Sequence, residues 1–481
     1  MTKIKISDLK ISSGVGFGTS GIRDLNENLT DKIVYIYTLA FLKLVVEKTI
    51  AIAGDRRFST DRIMMAVTKA VQDSGLNIIN CGKIPTPAVA YFGIQNDLPS
   101  IMVTGSHIPD DRNGVKFNLA SREVLKSDEE SIAQMEVEFD DSLFDANGFF
   151  INKYQLPDED IRGRELYIKR YTDFFSKDLL LNKKVGLYGH SAVGREIVEE
   201  LLIKFGAEVI RFEFSDDKFI SVDTDAVNEE LITKMHKWDN DYSLDYIVST
   251  DGDGDRPLLT DEDGDFIRAE LMPILAGKYL DIESMASTLT ACTSVEKSGY
   301  FKKIVRTKVG SPYIVEAMMN LEKDGYERVA GYELNGGFLV QTDIVKNGNT
   351  ISKLPTRDAL LPIFSIIAMS IESGRSVKQL VSELPKRYTY SSSIKGIPTD
   401  ISLDILIRWE EYRSSIENTF GKIVDINLMD GLRITFFNDD IVHFRPSKNA
   451  PEFRNYTESE TYDRARVLSE RANELIKKWT E

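Results

Sequence analysis

Hydrophobic and polar positions along the chain follow two alternating rhythms. Short β-branched or apolar runs are followed by longer stretches in which apolar residues return every three or four positions. Residues 49–53 form the first such run, ending at Gly54-Asp55. A helix is expected to follow from near Ser59-Thr60, with Ile63, Met64, Val67 and Val71 on one stripe. Residues 77–80 read as a strand, 82–87 as a turn-rich connection, and 101–103 as a strand running into Thr104-Gly105-Ser106-His107. The unit recurs in kind: a strand at 185–188, a helix at 194–205, a strand at 209–212, and a strand at 246–249 ending at Asp251. Further strands are expected at 288–292, 303–306 and 328–331. This alternation predicts parallel sheets with crossover helices, whose functional groups collect beyond the carboxyl ends of strands.

The C-terminal stretch changes rhythm. Strands are expected at 388–394, 423–427, 432–437 and 441–444, joined by turns such as Met429-Asp430-Gly431, with a closing helix at 461–479. That is α+β with an antiparallel sheet. A length of 481 residues suggests about three domains, or four, at roughly 100–200 residues each. The rhythm divides the chain into 1–150, 151–256, 257–376 and 377–481. The most apolar stretch, 33–46, is broken by Lys43 and falls short of the ~18 apolar residues of a membrane helix.

Composition narrows the function. Charged residues make up 28% and Asp plus Glu outnumber Lys plus Arg by 76 to 60, a net charge of -16. Such a surface argues against nucleic acid and anionic membranes as partners, while leaving room for a small anion in a local basic cleft. The two cysteines, Cys81 and Cys292, build no disulfide framework, and residues 1–5 show no signal-peptide core. A cytoplasmic protein is expected.

Four loops can carry chemistry. In Asp251-Gly252-Asp253-Gly254-Asp255-Arg256, carboxylates at i, i+2 and i+4 converge if the loop curls, and hard oxygen ligands suit Mg²⁺. An EF-hand would place Glu262 at its twelfth position, but Arg256 stands where its glycine belongs. The acidic run at 261–265 reads as a plain turn. The second loop, Thr104 through Lys116, holds the adjacent pair Ser106 and His107 and a cation, Lys116. Neighbouring residues seldom bring Oγ and imidazole into hydrogen-bond geometry. The third, at 445–454, gathers Arg445, Ser447, Lys448, Asn449 and Arg454 around a proline-rich turn suited to a phosphate. In the fourth, Gly331 to Phe338, an extended backbone would turn Glu333 and Asn335 to one side, where both can bond sugar hydroxyls. Two motifs are set aside. Gly16-Phe17-Gly18-Thr19-Ser20-Gly21 leads into polar residues rather than a dinucleotide-site helix, and 189–194 is a tight βα turn rather than a nucleophile elbow.

These loops, in this order, together with Phe17-Gly18-Thr19-Ser20-Gly21-Ile22-Arg23, resemble the α-D-phosphohexomutase superfamily over nearly the whole chain. The resemblance implies four domains around a central cleft, three sharing a mixed-sheet α/β core and the last similar to the TATA-box-binding protein. It implies a phosphomutase that interconverts hexose 1-phosphate and hexose 6-phosphate, with Ser106 as the phosphorylated residue. Asp251, Asp253 and Asp255 would hold Mg²⁺, which also touches the phosphoserine. Arg23, Lys116 and His107 match the catalytic surroundings, and Arg256, Lys308, Glu333, Asn335, Arg445, Ser447, Asn449 and Arg454 match substrate-contacting positions. A hexose 1,6-bisphosphate would serve as activator, and a monomer or weak homodimer is expected.

The chain departs from the family pattern at several points. Ile108 stands for the usual Asn of T-A-S-H-N-P, the phosphate loop reads Ser447-Lys448-Asn449-Ala450-Pro451 instead of S-G-T-E-P, and Gly337 stands where some members carry a cleft His. The loop pattern resembles that of phosphomannomutases, which makes mannose the expected sugar. A phosphoglucomutase, a phosphoglucosamine mutase, a Mg²⁺-dependent sugar phosphatase and a non-catalytic sugar-phosphate binder are the alternatives.

Overall fold

A computed structural model describes residues 1–18, 21–447 and 451–480. Three sheets repeat one plan. In the first, Thr49–Gly54 pairs in parallel with Asn77–Asn80 on one side and Ser100–Val103 on the other. The latter then pairs antiparallel with Arg112–Leu119, which pairs with Ile22–Leu25 and Arg122–Glu123. In the second, Lys184–His190 is flanked in parallel by Glu208–Phe214 and Tyr246–Thr250, and Tyr246–Thr250 turns antiparallel into Pro257–Leu259. In the third, Ser284–Thr288 lies between Lys303–Thr307 and Val329–Tyr332, and Val329–Tyr332 pairs antiparallel with Phe338–Val340, which pairs with Leu354–Asp358. In all three, the strand where parallel pairing gives way to antiparallel runs into one of the loops singled out in the sequence: Thr104 onward, Asp251 onward and Glu333 onward.

The expected helix stripe holds. Ile63, Met64, Val67 and Val71 of Thr60–Asp73 are all fully or almost fully buried. One apolar cluster runs through all three sheets, including Met102, Leu187, Val248, Met285 and Phe364. The fourth unit is a five-stranded antiparallel sheet ordered Tyr388–Lys395, Glu452–Ser459, Ile441–Pro446, Leu432–Phe436 and Ile423–Asn427, with its own core around Ile434, Phe444 and Ile476. Its closing helix is Tyr462–Thr480. A buried polar joint ties it to the third unit: the Glu458 carboxylate accepts from Arg387 Nε at 2.6 Å and from the Thr293 amide at 3.1 Å.

Some expectations need correction. The strand expected at 288–292 lies earlier, at Ser284–Thr288. The chain turns at Thr288 because the Arg306 guanidinium draws in the carbonyls of Thr288, Ala291 and Cys292. The connection at 82–87 already contains the first turn of the helix Thr86–Gln95, started by Pro87 near its N-terminus. Glu452–Ser459 was not expected as a strand, and Arg454 lies on it rather than in a loop. No helix among the described residues is long and apolar enough to cross a membrane.

Candidate active site

The loop after Tyr246–Thr250 does curl. Gly254 takes φ +75, its amide reaches the Asp251 carbonyl at 3.2 Å, and the amides of Asp255 and Arg256 donate to Asp251 Oδ1 at 3.1 and 3.2 Å. Asp251, Asp253 and Asp255 are fully buried, with one oxygen from each within 4.8 Å of the others. Asp253 and Asp255 are each held on one side. Asp253 Oδ2 accepts from Thr86 Oγ1 at 2.5 Å and Lys116 Nζ at 2.6 Å, and Asp255 Oδ2 from Lys116 Nζ at 2.9 Å and Arg357 Nη2 at 2.8 Å. Asp253 Oδ1 and Asp255 Oδ1 are buried with no hydrogen-bond partner among the described residues. Such orphaned carboxylate oxygens fit a hard divalent cation such as Mg²⁺. Glu262 is not part of the cluster. It accepts the amides of Val377 and Lys378 at 2.6 and 3.2 Å, so the EF-hand alternative falls.

Burial, with repulsion from Asp253 and Asp255, pushes the Asp251 carboxyl well above the usual range. Burial acts the same way on Asp255, but Arg357, Lys116 and Arg256 outweigh it and hold that carboxyl low. Burial lowers the pKa of Lys116, yet Asp253 and Asp255 more than compensate, so the ammonium stays charged.

Ser106 faces this cluster, with Oγ 2.9 Å from Asp251 Oδ2. Its φ of +57 is left-handed, an uncommon conformation for serine that must be held in place. Arg57, beyond the end of Thr49–Gly54, holds it. Its Nη2 donates to the carbonyls of Ser106 at 2.7 Å and Ile108 at 2.6 Å, and its Nη1 to Pro109 at 2.7 Å and Arg112 at 3.2 Å. Asp55 secures Arg57 Nε at 3.1 Å and accepts from Thr104 Oγ1 at 2.8 Å. Phe219, from the second unit, covers the guanidinium with its ring centroid 3.9 Å away. His107 Nδ1 stands 3.4 Å from Ser106 Oγ, so here adjacent residues do approach, at the long limit of a hydrogen bond. Burial, Arg256 and Arg23 lower the imidazole pKa to about 3.

A cleft of about 720 Å³ opens beside these groups, lined by Arg23, His107, Arg256, Glu333, Asn335 and Arg454 among others. That volume suits a phosphorylated hexose. Burial, with the neighbouring Arg256 guanidinium, lowers the Arg23 pKa to about 10. Arg256 Nη1 lies 3.2 Å from both Asp223 and Asp225.

Three family models match the chain: phosphoglucomutase/phosphomannomutase, alpha/beta/alpha domain I over residues 14–139, domain II over 165–264 and domain III over 276–388. A phosphomannomutase of Salmonella muenchen is 38% identical over 466 residues, 95% of each chain. The chain belongs to the phosphoglucomutase/phosphomannomutase family. A second relative of this phosphomutase, a phosphomannomutase of Sinorhizobium fredii, is 34% identical over 95% of the chain and 97% of its own length. A family protein from Burkholderia thailandensis shares the fold, with TM-score 0.71 at 16% identity over 96% of this chain and 97% of its own.

In this phosphomutase, Glu333 and Asn335 both line the cleft, but not through an extended backbone. The Gly336 amide closes a turn onto the Glu333 carbonyl at 3.0 Å, with φ +83 at Gly336. Arg445 is buried, with Nε 2.7 Å from Asp430 Oδ2, which also accepts the Val309 amide at 3.0 Å. Ser447 is buried beside it, and its amide meets the Glu452 carbonyl at 2.9 Å. Arg454 reaches Glu452 at 3.2 Å. Lys308 is exposed, with Nζ 5.8 Å from the Tyr313 ring centroid, one residue from the cleft-lining Val309. Asn449 lies outside the described residues, as do Thr19 and Ser20. Sequence reasoning missed Arg57, Thr86 and Arg357. The clue available for Arg57 and Arg357 was an arginine beside an aspartate at a strand end, in Asp55-Arg56-Arg57 and Arg357-Asp358.

Proposed function

We propose that the enzyme is a phosphomannomutase that moves a phosphoryl group between O1 and O6 of mannose, with glucose and glucosamine phosphates as poorer substrates. The observation that carries the reading is Ser106 Oγ at 2.9 Å from Asp251, at the edge of a buried three-carboxylate cluster and beside a cleft rich in cations. The names of the Salmonella and Sinorhizobium relatives support mannose.

In this reading Ser106 carries the phosphoryl group. A sugar hydroxyl attacks the phosphorus, its O–P bond forming as the P–Oγ bond breaks. Attacking and departing oxygens stand in line on opposite faces of the phosphorus, so the hydroxyl proton leaves on the cleft side, beside Arg23 and Lys116, and the departing serine oxygen regains one proton to become the Ser106 hydroxyl, 3.4 Å from His107 Nδ1. The resulting sugar bisphosphate turns in the cleft, and Ser106 Oγ takes the other phosphoryl group by the reverse of these steps. Transfer of this kind depends on placement and on neutralising the equatorial oxygens, tasks that Lys116, Arg23 and Arg256 serve. Asp251, Asp253 and Asp255, with the Ser106 phosphoryl oxygen, would hold Mg²⁺, which supplies further neutralisation when bound. Glu333 and Asn335 take sugar hydroxyls. Arg445, Ser447, Asn449 and Arg454, with Lys308 at the rim, take the phosphate that is not transferred. Hexose 1,6-bisphosphate recharges a serine that has lost its group. We place the enzyme in the cytoplasm, acting on soluble sugar phosphates as a monomer or weak homodimer.

The test is kcat/KM for the 1-phosphates of mannose, glucose and glucosamine side by side, with Ser106→Ala as control and intact-protein mass as a second readout. Mannose should lead, and wild type should carry a fraction heavier by one phosphoryl group that Ser106→Ala lacks. Free phosphate instead of the 6-phosphate isomer, or a label on another residue, would overturn the reading.

A further inference from the structure

Arg357 is a buried guanidinium that joins the metal loop to the sugar loop. Its Nε and Nη2 donate to Asp255 Oδ2 at 3.0 and 2.8 Å, and its Nη1 donates to Glu333 Oε2. Lys116 Nζ adds a third contact to the same Asp255 oxygen. Oδ2 is therefore saturated by three N–H groups, and the acceptor that Asp255 can turn to a cation is the buried Oδ1, which has no hydrogen-bond partner among the described residues and lies 3.8 Å from Arg256 Nε. Asp253 shows the same division, with Oδ2 held by Thr86 and Lys116 and Oδ1 left over. Carboxylates pinned in this way offer one oxygen each. One-oxygen ligation in a fixed frame suits the small, strictly octahedral Mg²⁺. Ca²⁺ is larger, takes more ligands and readily uses both oxygens of a carboxylate.

The guanidinium reaches this place because residue 337 has no side chain. A Cβ on Gly337 would stand 2.6 Å from Arg357 Cδ, 2.7 Å from Cγ and 2.9 Å from Cβ, closer than such atoms approach. The arginine stem and the glycine thus form one fitted pair. The glycine that departs from the family pattern is the opening through which Arg357 enters.

We propose that Arg357, admitted by Gly337, is a positioning residue that holds Asp255 as a one-oxygen ligand and Glu333 toward the sugar, and so sets the preference of the site for Mg²⁺ over Ca²⁺. This rests on the phosphomutase reading of the three-aspartate cluster. A role limited to charge makes a different forecast. Removing one cation from beside the cluster strengthens attraction for both divalent ions alike and leaves their ratio unchanged. Removing the clamp frees the second oxygen of Asp255, because Lys116 alone divides its ammonium between Asp253 and Asp255. That change favours Ca²⁺ selectively.

The experiment is calorimetric titration of the purified full chain, without sugar, with Mg²⁺ and separately with Ca²⁺. Arg357→Met should raise the Ca²⁺ affinity relative to Mg²⁺ at least fivefold. Gly337→Ala, which displaces the stem while keeping the charge, should move the ratio in the same direction by about two- to threefold. The double variant should not exceed Arg357→Met. Should Arg357→Met fail to fold, Arg357→Lys is read in the same titration, with a shift of at least threefold expected, since a point ammonium cannot serve Asp255 twice and Glu333 at once. A wild-type ratio in the Arg357 variant and in Gly337→Ala overturns the role of Arg357 alone. A wild-type chain that binds neither cation overturns the metal-site reading and this inference with it.

Discussion

Removing Arg57 tests whether the Ser106 loop owes its shape to a side chain outside it. In Arg57→Ala the loop loses donors to four carbonyls, and Asp55 loses an ion pair in which both side chains are fully buried. Breaking a buried pair from one side costs about 3–5 kcal/mol. The lower end applies here, because Asp55 keeps Thr60 Oγ1 at 2.6 Å, Thr104 Oγ1 at 2.8 Å and the Arg57 amide at 3.0 Å. A loss of about 3 kcal/mol leaves a folded protein. The effect on activity is separate. The bonds to the Ser106 and Ile108 carbonyls, at about 1–1.5 kcal/mol net each, hold the left-handed serine. Their loss amounts to about 2–3 kcal/mol, or about 30- to 150-fold in kcat/KM. Arg57→Lys separates the two effects. An ammonium can pair with Asp55 but cannot span the four carbonyls, so melting temperature should largely recover while kcat/KM should not. A coupled mutase assay and a thermal melt on the same preparations give both numbers. Activity of Arg57→Ala within threefold of wild type, or full rescue of activity by lysine, would refute the reasoning.

Asp253→Ala removes one of the two oxygens left free for the cation, and activity should fall at least 100-fold, about 2.7 kcal/mol; EDTA should inactivate wild type reversibly, and full activity in excess chelator would contradict the metal role. In the proposed mechanism Arg445→Ala removes a contact to the stationary phosphate made before and during transfer, so KM should rise more than kcat falls; an unchanged KM would make this arginine structural. Stability should fall as pH drops from 6.5 toward 4. His190 and His443 are buried, and burial lowers each pKa from 6.5 to about 4, so in that window the unfolded chain binds protons that the native one does not. At about 1.4 kcal/mol per pH decade this reaches about 3 kcal/mol per histidine at pH 4, is absent above 6.5, and in denaturant titrations the pH dependence of His443→Gln should be smaller by about that one share.

The strand-helix alternation and the curl of the acidic loop were legible in the sequence, because each rests on local chemistry. Period and β-branching mark a strand such as 77–80, and three aspartates two apart on glycines can converge without help from distant residues. What the sequence could not show is which distant groups meet there. Thr86 and Lys116 lie 167 and 137 positions from Asp253, and Arg357 lies 102 from Asp255, so no window of residues contains these contacts. Local pattern also misplaced the strand near 288, where the Arg306 side chain, not the intrinsic preference of Thr-Leu-Thr, ends the sheet. Spacing picked out the three aspartates that the structure gathers into one buried cluster. Only the packing of three similarly wound sheets, each delivering one loop to a shared cleft, decided which oxygen of Asp253 and of Asp255 is held and which is left free.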